Sequence, residues 1–194
     1  MESAPDSKAP TGKPRTPWLV AAAAVAVVIA VVAVIVLLVN DSDDASPATT
    51  TGSGGTAPFA VSAAGLATLA NAGGSPIYWA GPRNSKLYEL TQKADGDVTL
   101  RYLPKGEKAG YKGNVLSVGT YPFKHAYAAA QATMARDDTV TIPVDGGALA
   151  FRAKSSSTNV YVVFPDVDVQ IEVFSPEAGQ AQKLVSRGEI VRVQ

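Results

Sequence analysis

Between Trp18 and Val39 the chain reads WLVAAAAVAVVIAVVAVIVLLV, without a single charge. As a helix this stretch extends about 33 Å, enough to cross a hydrocarbon core of about 30 Å. Its β-branched valines are mediocre helix formers in water. In lipid, however, the backbone must satisfy its hydrogen bonds within the segment, and a lone span does so only as a helix. Trp18 stands at the entrance, where an amphipathic ring favours the headgroup level. Lys8, Lys13 and Arg15 precede the span, whereas Asp41, Asp43 and Asp44 follow it. Positive flanks stay cytoplasmic, so the expected protein is single-pass, with its N-terminus inside and everything after Asn40 outside the cell membrane. A cleaved secretory signal has an apolar region of only about 7–15 residues and ends in a small-residue site. The longer run here, followed by NDSDDASP, favours an uncleaved anchor. Ala22, Ala26 and Ala30 share a small-xxx-small line, but an Ala/Val-rich span produces that spacing by composition alone. The oligomeric state therefore stays open.

The anchor divides the chain. Residues 1–17 hold four prolines and no apolar periodicity, as in a disordered cytoplasmic tail. Residues 40–57, NDSDDASPATTTGSGGTA, offer nothing larger than alanine for a core and read as a flexible linker. An extracytoplasmic domain then occupies 58–194, long enough to bury one core. Net charge over the whole chain is zero. Three of the basic residues (Lys8, Lys13, Arg15) and five of the acids (Glu2, Asp6, Asp41, Asp43, Asp44) precede Pro58, which leaves the outer domain at +2. That is far from the dense basic face that nucleic-acid binding requires, so no nucleic-acid partner is expected. There are no cysteines. Disulfides, thiolate metal sites, cysteine nucleophiles and a lipidated Cys anchor are thereby excluded.

Within the outer domain, periodicity predicts a helix over Ser62–Asn71, capped by Ser62 and stopped by Gly73-Gly74. Lys86–Gln92 and Val98–Leu103 alternate apolar and polar residues on either side of Asp95-Gly96, a dipeptide that favours a type I′ hairpin turn. Further strands are expected at Ile77–Ala80, Asn114–Thr120, Thr139–Pro143, Leu149–Ala153, Val160–Phe164, Val167–Phe174 and Ile190–Val193. Helices are expected at Phe123–Arg136, with Phe123, Tyr127, Ala130 and Met134 on one stripe, and at Ala178–Ser186, ended by Gly188. Runs of strands with about three short helices, and no strict βαβ alternation, give an α+β domain built on a mainly antiparallel sheet. A faint echo at an offset of 83 pairs Tyr78 with Tyr161, Pro82 with Pro165 and Glu89 with Glu172. It fits either an internal duplication or the shared chemistry of two strand–turn–strand units.

Motifs for catalysis are missing. His125 is the single histidine and has no acidic partner at a recognisable spacing, so it reads as a helix-surface residue. Ser117, in NVLSVGT, lacks the G-x-S-x-G elbow, and TGKPRT lacks the glycine spacing of a phosphate loop. Asp95, Asp97, Asp137, Asp138, Asp145, Asp166 and Asp168 all fall in expected turns or at element ends, where backbone hydrogen bonding accounts for aspartate. No metal or cofactor is implied. Two features are candidates for binding. The segment PKGEKAGYKGN carries Lys105, Lys108 and Lys112 among three glycines, a basic loop that could touch anionic headgroups or envelope polymers. The pair Tyr78-Trp79 alternates faces of a strand, so it supplies either a core aromatic or an exposed recognition residue.

YWAGP (Tyr78–Pro82), YELT (Tyr88–Thr91), RYLP (Arg101–Pro104) and VGTYP (Val118–Pro122) resemble a set of uncharacterised small single-pass membrane proteins of actinomycete bacteria, each with one extracytoplasmic domain. The resemblance implies a bacterial cell-envelope setting and supplies no catalytic residue. The function expected from the sequence is a membrane-anchored binding or accessory module that engages an envelope polymer or a membrane protein. The alternative is an envelope hydrolase acting on polysaccharide through a pair of carboxylates that sequence spacing does not reveal.

Overall fold

The computed structural model of the protein describes residues 55–84 and 86–194. The expected membrane span with its end residues Trp18 and Val39, the tail 1–17 and most of the linker lie outside these. Among the described residues no helix is long and apolar enough to cross a membrane.

The elements follow in the order β1 (Phe59–Val61), α1 (Ala63–Asn71), β2 (Tyr78–Trp79), β3 (Tyr88–Gln92), β4 (Val98–Tyr102), β5 (Ser117–Pro122), α2 (Ala126–Met134), β6 (Thr139–Ile142), β7 (Leu149–Ala153), β8 (Asn159–Val163), β9 (Val169–Phe174), α3 (Gln180–Ser186) and β10 (Val191–Arg192). Eight strands form one sheet in the order β1-β3-β4-β5-β9-β8-β7-β6, and β10 pairs with β2 in a small second sheet. Every pairing is antiparallel. The domain is thus the mainly antiparallel α+β architecture that the strand pattern predicts, with three short helices among the described residues.

Residues directly opposite one another in antiparallel strands share a face. Following the register across the sheet gives one continuous apolar row, Phe59–Leu90–Leu100–Val118–Val173–Val160. A second row on the same face runs Val98–Thr120–Ile171–Val162–Ala150–Ile142. This packed face is covered by Leu66 and Leu69 of α1, by Ala181, Leu184 and Val185 of α3, and by Ile77, Tyr78, Ile190 and Val193 around the β2–β10 ribbon. Tyr88 and Tyr102 extend the face with their rings edge-on, 5.1 Å apart.

The opposite face carries the alternate residues, and it divides in two. Over β7 and β8, α2 buries Ala126 and Ala130 against Phe151 and Val163, with Tyr127, Met134, Leu149 and Tyr161 at the margin. Over β3, β4, β5 and β9 the strands present Glu89, Thr91, Thr99, Arg101, Ser117, Gly119, Tyr121, Gln170, Glu172 and Phe174. Among the described residues no helix covers this part.

Several local expectations change. The β3–β4 hairpin forms, but not through a type I′ turn, which needs positive φ at both central residues. Asp95 keeps a negative φ, and only Gly96 (φ 93°) is left-handed. Lys93 N–H donates to Asp97 O at 2.9 Å and Gly96 N–H to Lys93 O at 3.0 Å. These bonds close a three-residue loop, a type I turn followed by a left-handed glycine. The Asp95 carboxylate decides the difference by accepting the Asp97 N–H at 3.1 Å. Helix α2 begins three residues later than its apolar stripe predicts. Phe123 is left outside it and 43% exposed. Asp168 fixes the boundary: its carbonyl accepts the Phe123 N–H and its carboxylate accepts the N–H of a left-handed His125, both at 2.9 Å. Strand β1 has no counterpart among the strands expected from periodicity. Its pairing with β3 continues backward, and Gly55 bridges Lys93 while Thr56 N–H donates to Gln92 O. The offset-83 echo aligns β2–β3 with β8–β9, yet β2 pairs with β10 whereas β8 pairs with β9. The two units occupy different places in the topology, which fits shared turn chemistry.

Candidate functional site

The uncovered part of the open face is a trough. On one side it is bounded by α2, and on the other by the loop between β4 and β5, which holds the three lysines. Arg101 and Glu89, directly opposite on β4 and β3, tie that loop down. The Arg101 guanidinium donates from Nη1 to Glu89 Oε1 at 2.5 Å and to Tyr111 O at 2.8 Å, and from Nη2 to Gly113 O at 2.8 Å. Glu89 in turn accepts the Gly110 N–H. One planar fork thus satisfies two loop carbonyls and a carboxylate, the geometry for which arginine is suited. The loop closes over Glu89, whose side chain is only 3% exposed. Lys105, Lys108 and Lys112 remain outside, all exposed, and among the described residues none of them makes an ion pair. The lysine loop is therefore a tethered rim with exposed cationic tips.

The floor between the rims centres on Glu172. Its Oε1 accepts from Asn159 Nδ2 at 2.5 Å and its Oε2 from the Tyr121 hydroxyl at 3.2 Å. Asn159 is oriented in turn, because its Oδ1 accepts from Thr158 Oγ1 at 2.9 Å. Tyr161 stands directly opposite Glu172, stacked on Phe151 with ring centroids 5.5 Å apart. Gly119, also directly opposite Glu172, makes the arrangement possible. A Cβ there would come within 2.7 Å of Tyr121 Cζ, so the ring end of Tyr121 lies over the bare glycine backbone toward Glu172. Burial, and secondarily the Glu172 charge, push the Tyr121 hydroxyl up to about 12. The same two causes raise Tyr161. Both phenols stay protonated near neutral pH. They act as donors and acceptors of hydrogen bonds, and neither is a nucleophile.

The expected aromatic pair lies elsewhere. Tyr78 is buried on the packed side, stacked on Phe164 at 5.6 Å, while Trp79 is half-buried with its ring edge-on to Tyr88 at 5.9 Å. The lysine loop and the aromatic pair therefore do not form one site. Near the packed side is a shallow depression of about 500 Å³ lined by Pro82, Arg83, Asn84, Tyr102, Leu116 and Gln180. Three of its polar side chains are already engaged. The Tyr102 hydroxyl accepts from Ala80 N–H at 2.6 Å and donates to Gly81 O at 3.1 Å, Arg83 pairs with Glu189, and Gln180 accepts from Ser175.

Among the described residues no cluster of histidine and acidic side chains has the makings of a metal site. The strands place two carboxylates on the open face, Glu89 and Glu172. They are separated by three strand spacings and two residues along the strand, roughly 15 Å. The described aspartates fall in turns or at element ends, whereas the carboxylates of the open face, Glu89 and Glu172, stand within strands. The available signal was a glutamate in the middle of VQIEVF, since glutamate is depleted from strand interiors. Comparison with protein-family models, curated proteins and solved structures finds no match to this chain.

Proposed function

We propose that the chain is a bitopic envelope protein, anchored through 18–39 with its N-terminus cytoplasmic, whose outer domain is a binding module and not an enzyme. The observation that carries this reading is the trough. Its side chains are held in place by one another and by the strands, so a ligand meets them without ordering cost. The runner-up, a polysaccharide hydrolase, needs two carboxyl groups about 5–9.5 Å apart. Glu89 and Glu172 are too far from one another, and Glu89 is sealed beneath the loop. The phenols, pushed upward, do not replace a missing nucleophile.

Topology is tested on the cysteine-free chain. Ser3→Cys and Ser53→Cys variants are treated in intact cells with a membrane-impermeant maleimide, and only the Ser53→Cys protein is expected to label. Labelling of the Ser3→Cys protein alone would reverse the orientation. Function is tested by in-cell crosslinking and purification of the full chain, with a version lacking 58–194 as control. A partner or polymer lost with the domain supports the module. A catch identical to the control, together with cleavage of envelope polysaccharide by the purified chain, would replace it with the hydrolase.

A further inference from the structure

We infer that the trough is a saccharide site for an acidic glycan, with sugar hydroxyls and ring seated on Tyr121, Glu172, Asn159 and Tyr161 and the glycan's acid groups reaching Lys105, Lys108 and Lys112 at the rim. The inference rests on the binding-module reading and names its ligand class.

Three observations carry it. First, the Tyr121 ring end lies over Gly119, so the floor offers an aromatic surface of the kind against which the C–H face of a pyranose packs. Second, Glu172 accepts two protein hydrogen bonds out of about four that a carboxylate can take. The remaining acceptor sites, with the Tyr121 and Tyr161 hydroxyls beside them, suit vicinal hydroxyl groups. Third, the rim is complementary in charge to an acid. Three exposed lysines, without ion-pair partners among the described residues, stand on a loop that the Glu89–Arg101 pair holds at the trough edge. An extended peptide would need free backbone donors and acceptors, which the central strands β5 and β9 have already used on both sides. An apolar partner finds no patch here, since the large exposed apolar residues among those described, Leu87, Phe123 and Val191, are not on this floor.

The test uses the full chain in neutral detergent at about 0.15 M salt, where charges beyond about 8 Å are screened. Binding is measured to three uronate polymers (polygalacturonate, alginate and hyaluronan), to methyl-esterified polygalacturonate, and to polyglutamate. The esterified polymer keeps the hydroxyls and loses the charge, whereas polyglutamate keeps the charge and has no hydroxyls. At least one uronate polymer is expected to bind, more tightly than the ester and far more tightly than polyglutamate. Tyr121→Ala and Glu172→Gln should each weaken uronate and ester binding alike, the former by about tenfold. Lys105→Ala/Lys108→Ala/Lys112→Ala should weaken uronate binding to the level of the ester and leave the ester unchanged. Trp79 fluorescence in a Trp18→Phe background and the thermal midpoint check that each variant is folded, and Glu172→Gln, which preserves shape, stands if Tyr121→Ala is not. Equal binding of polyglutamate would overturn the inference in favour of an acidic protein partner. So would floor variants that bind normally, or no binding of any uronate polymer. If the crosslinking capture nonetheless succeeds, the module survives and only its ligand class falls.

Discussion

Arg101→Met isolates the interaction that fixes the lysine rim. The substitution keeps much of the side chain's length and its packing along the strand but removes the guanidinium. Three partners lose a donor. Glu89, 3% exposed, loses its counter-ion, and the carbonyls of Tyr111 and Gly113 lose their donors, while the Gly110 N–H remains bonded to a now uncompensated carboxylate. Removing one member of a buried pair costs about 3–5 kcal/mol. Because the Arg101 side chain is itself 23% exposed, water reaches the site and the low end, about 3 kcal/mol, applies. In a domain of this size that corresponds to a fall in thermal midpoint of roughly 10 °C. Urea unfolding of the full chain in detergent, followed by Trp79 fluorescence in a Trp18→Phe background, reads the loss. Limited trypsin digestion should accelerate at Lys105, Lys108 and Lys112 at the same time, because the loop opens before the sheet. The double variant Glu89→Met/Arg101→Met should cost less than the two single variants together, since it leaves no orphaned charge. A loss below about 1 kcal/mol with unchanged cleavage would refute the idea that this pair holds the loop.

Thr120 is 1% exposed and its hydroxyl has no partner among the described residues, so Thr120→Val, which keeps the β-branched shape, should raise stability by about 1 kcal/mol in urea unfolding. Gly96→Ala should lower it by about 1–2 kcal/mol, because the residue has a φ of 93° and a new Cβ would lie 2.9 Å from Pro122 Cγ. Tyr121 is held protonated up to about 12 in the fold and ionises near 10 when unfolded, so its contribution is intact below about pH 10 and is lost as pH rises through 12. Urea midpoints measured from pH 8 to 12 should therefore fall above about pH 10, and Tyr121→Phe should lessen that fall and remove one late phenolate step at 295 nm, leaving those of Tyr102 and Tyr161, which burial also raises.

The strand alternation made most of the sheet legible. VTLRY and VQIEVF each place every second residue on the packed face, and β4 and β9 bury those residues. Local signals failed where a distant group made the decision. The start of α2 was set by Asp168, more than forty residues away, and β1 is too short to announce itself before β3 gives it a partner. The candidate site was less legible still. The lysines were visible as a run in one loop, but Arg101 and Glu89 are twelve residues apart and Tyr121 and Glu172 fifty-one apart, so only strand register joins them.

By itself, the sequence determined the α+β class, the hairpins and the face of each strand that goes inward, along with the expectation of an anchor at 18–39. These follow from periodicity and turn chemistry, which act over a few residues. The tertiary structure decided which outward-facing residues become neighbours. It laid Tyr121 across Gly119 onto Glu172 and folded the lysine loop over Glu89, because lateral strand order brings together residues remote along the chain, and no local pattern encodes that order.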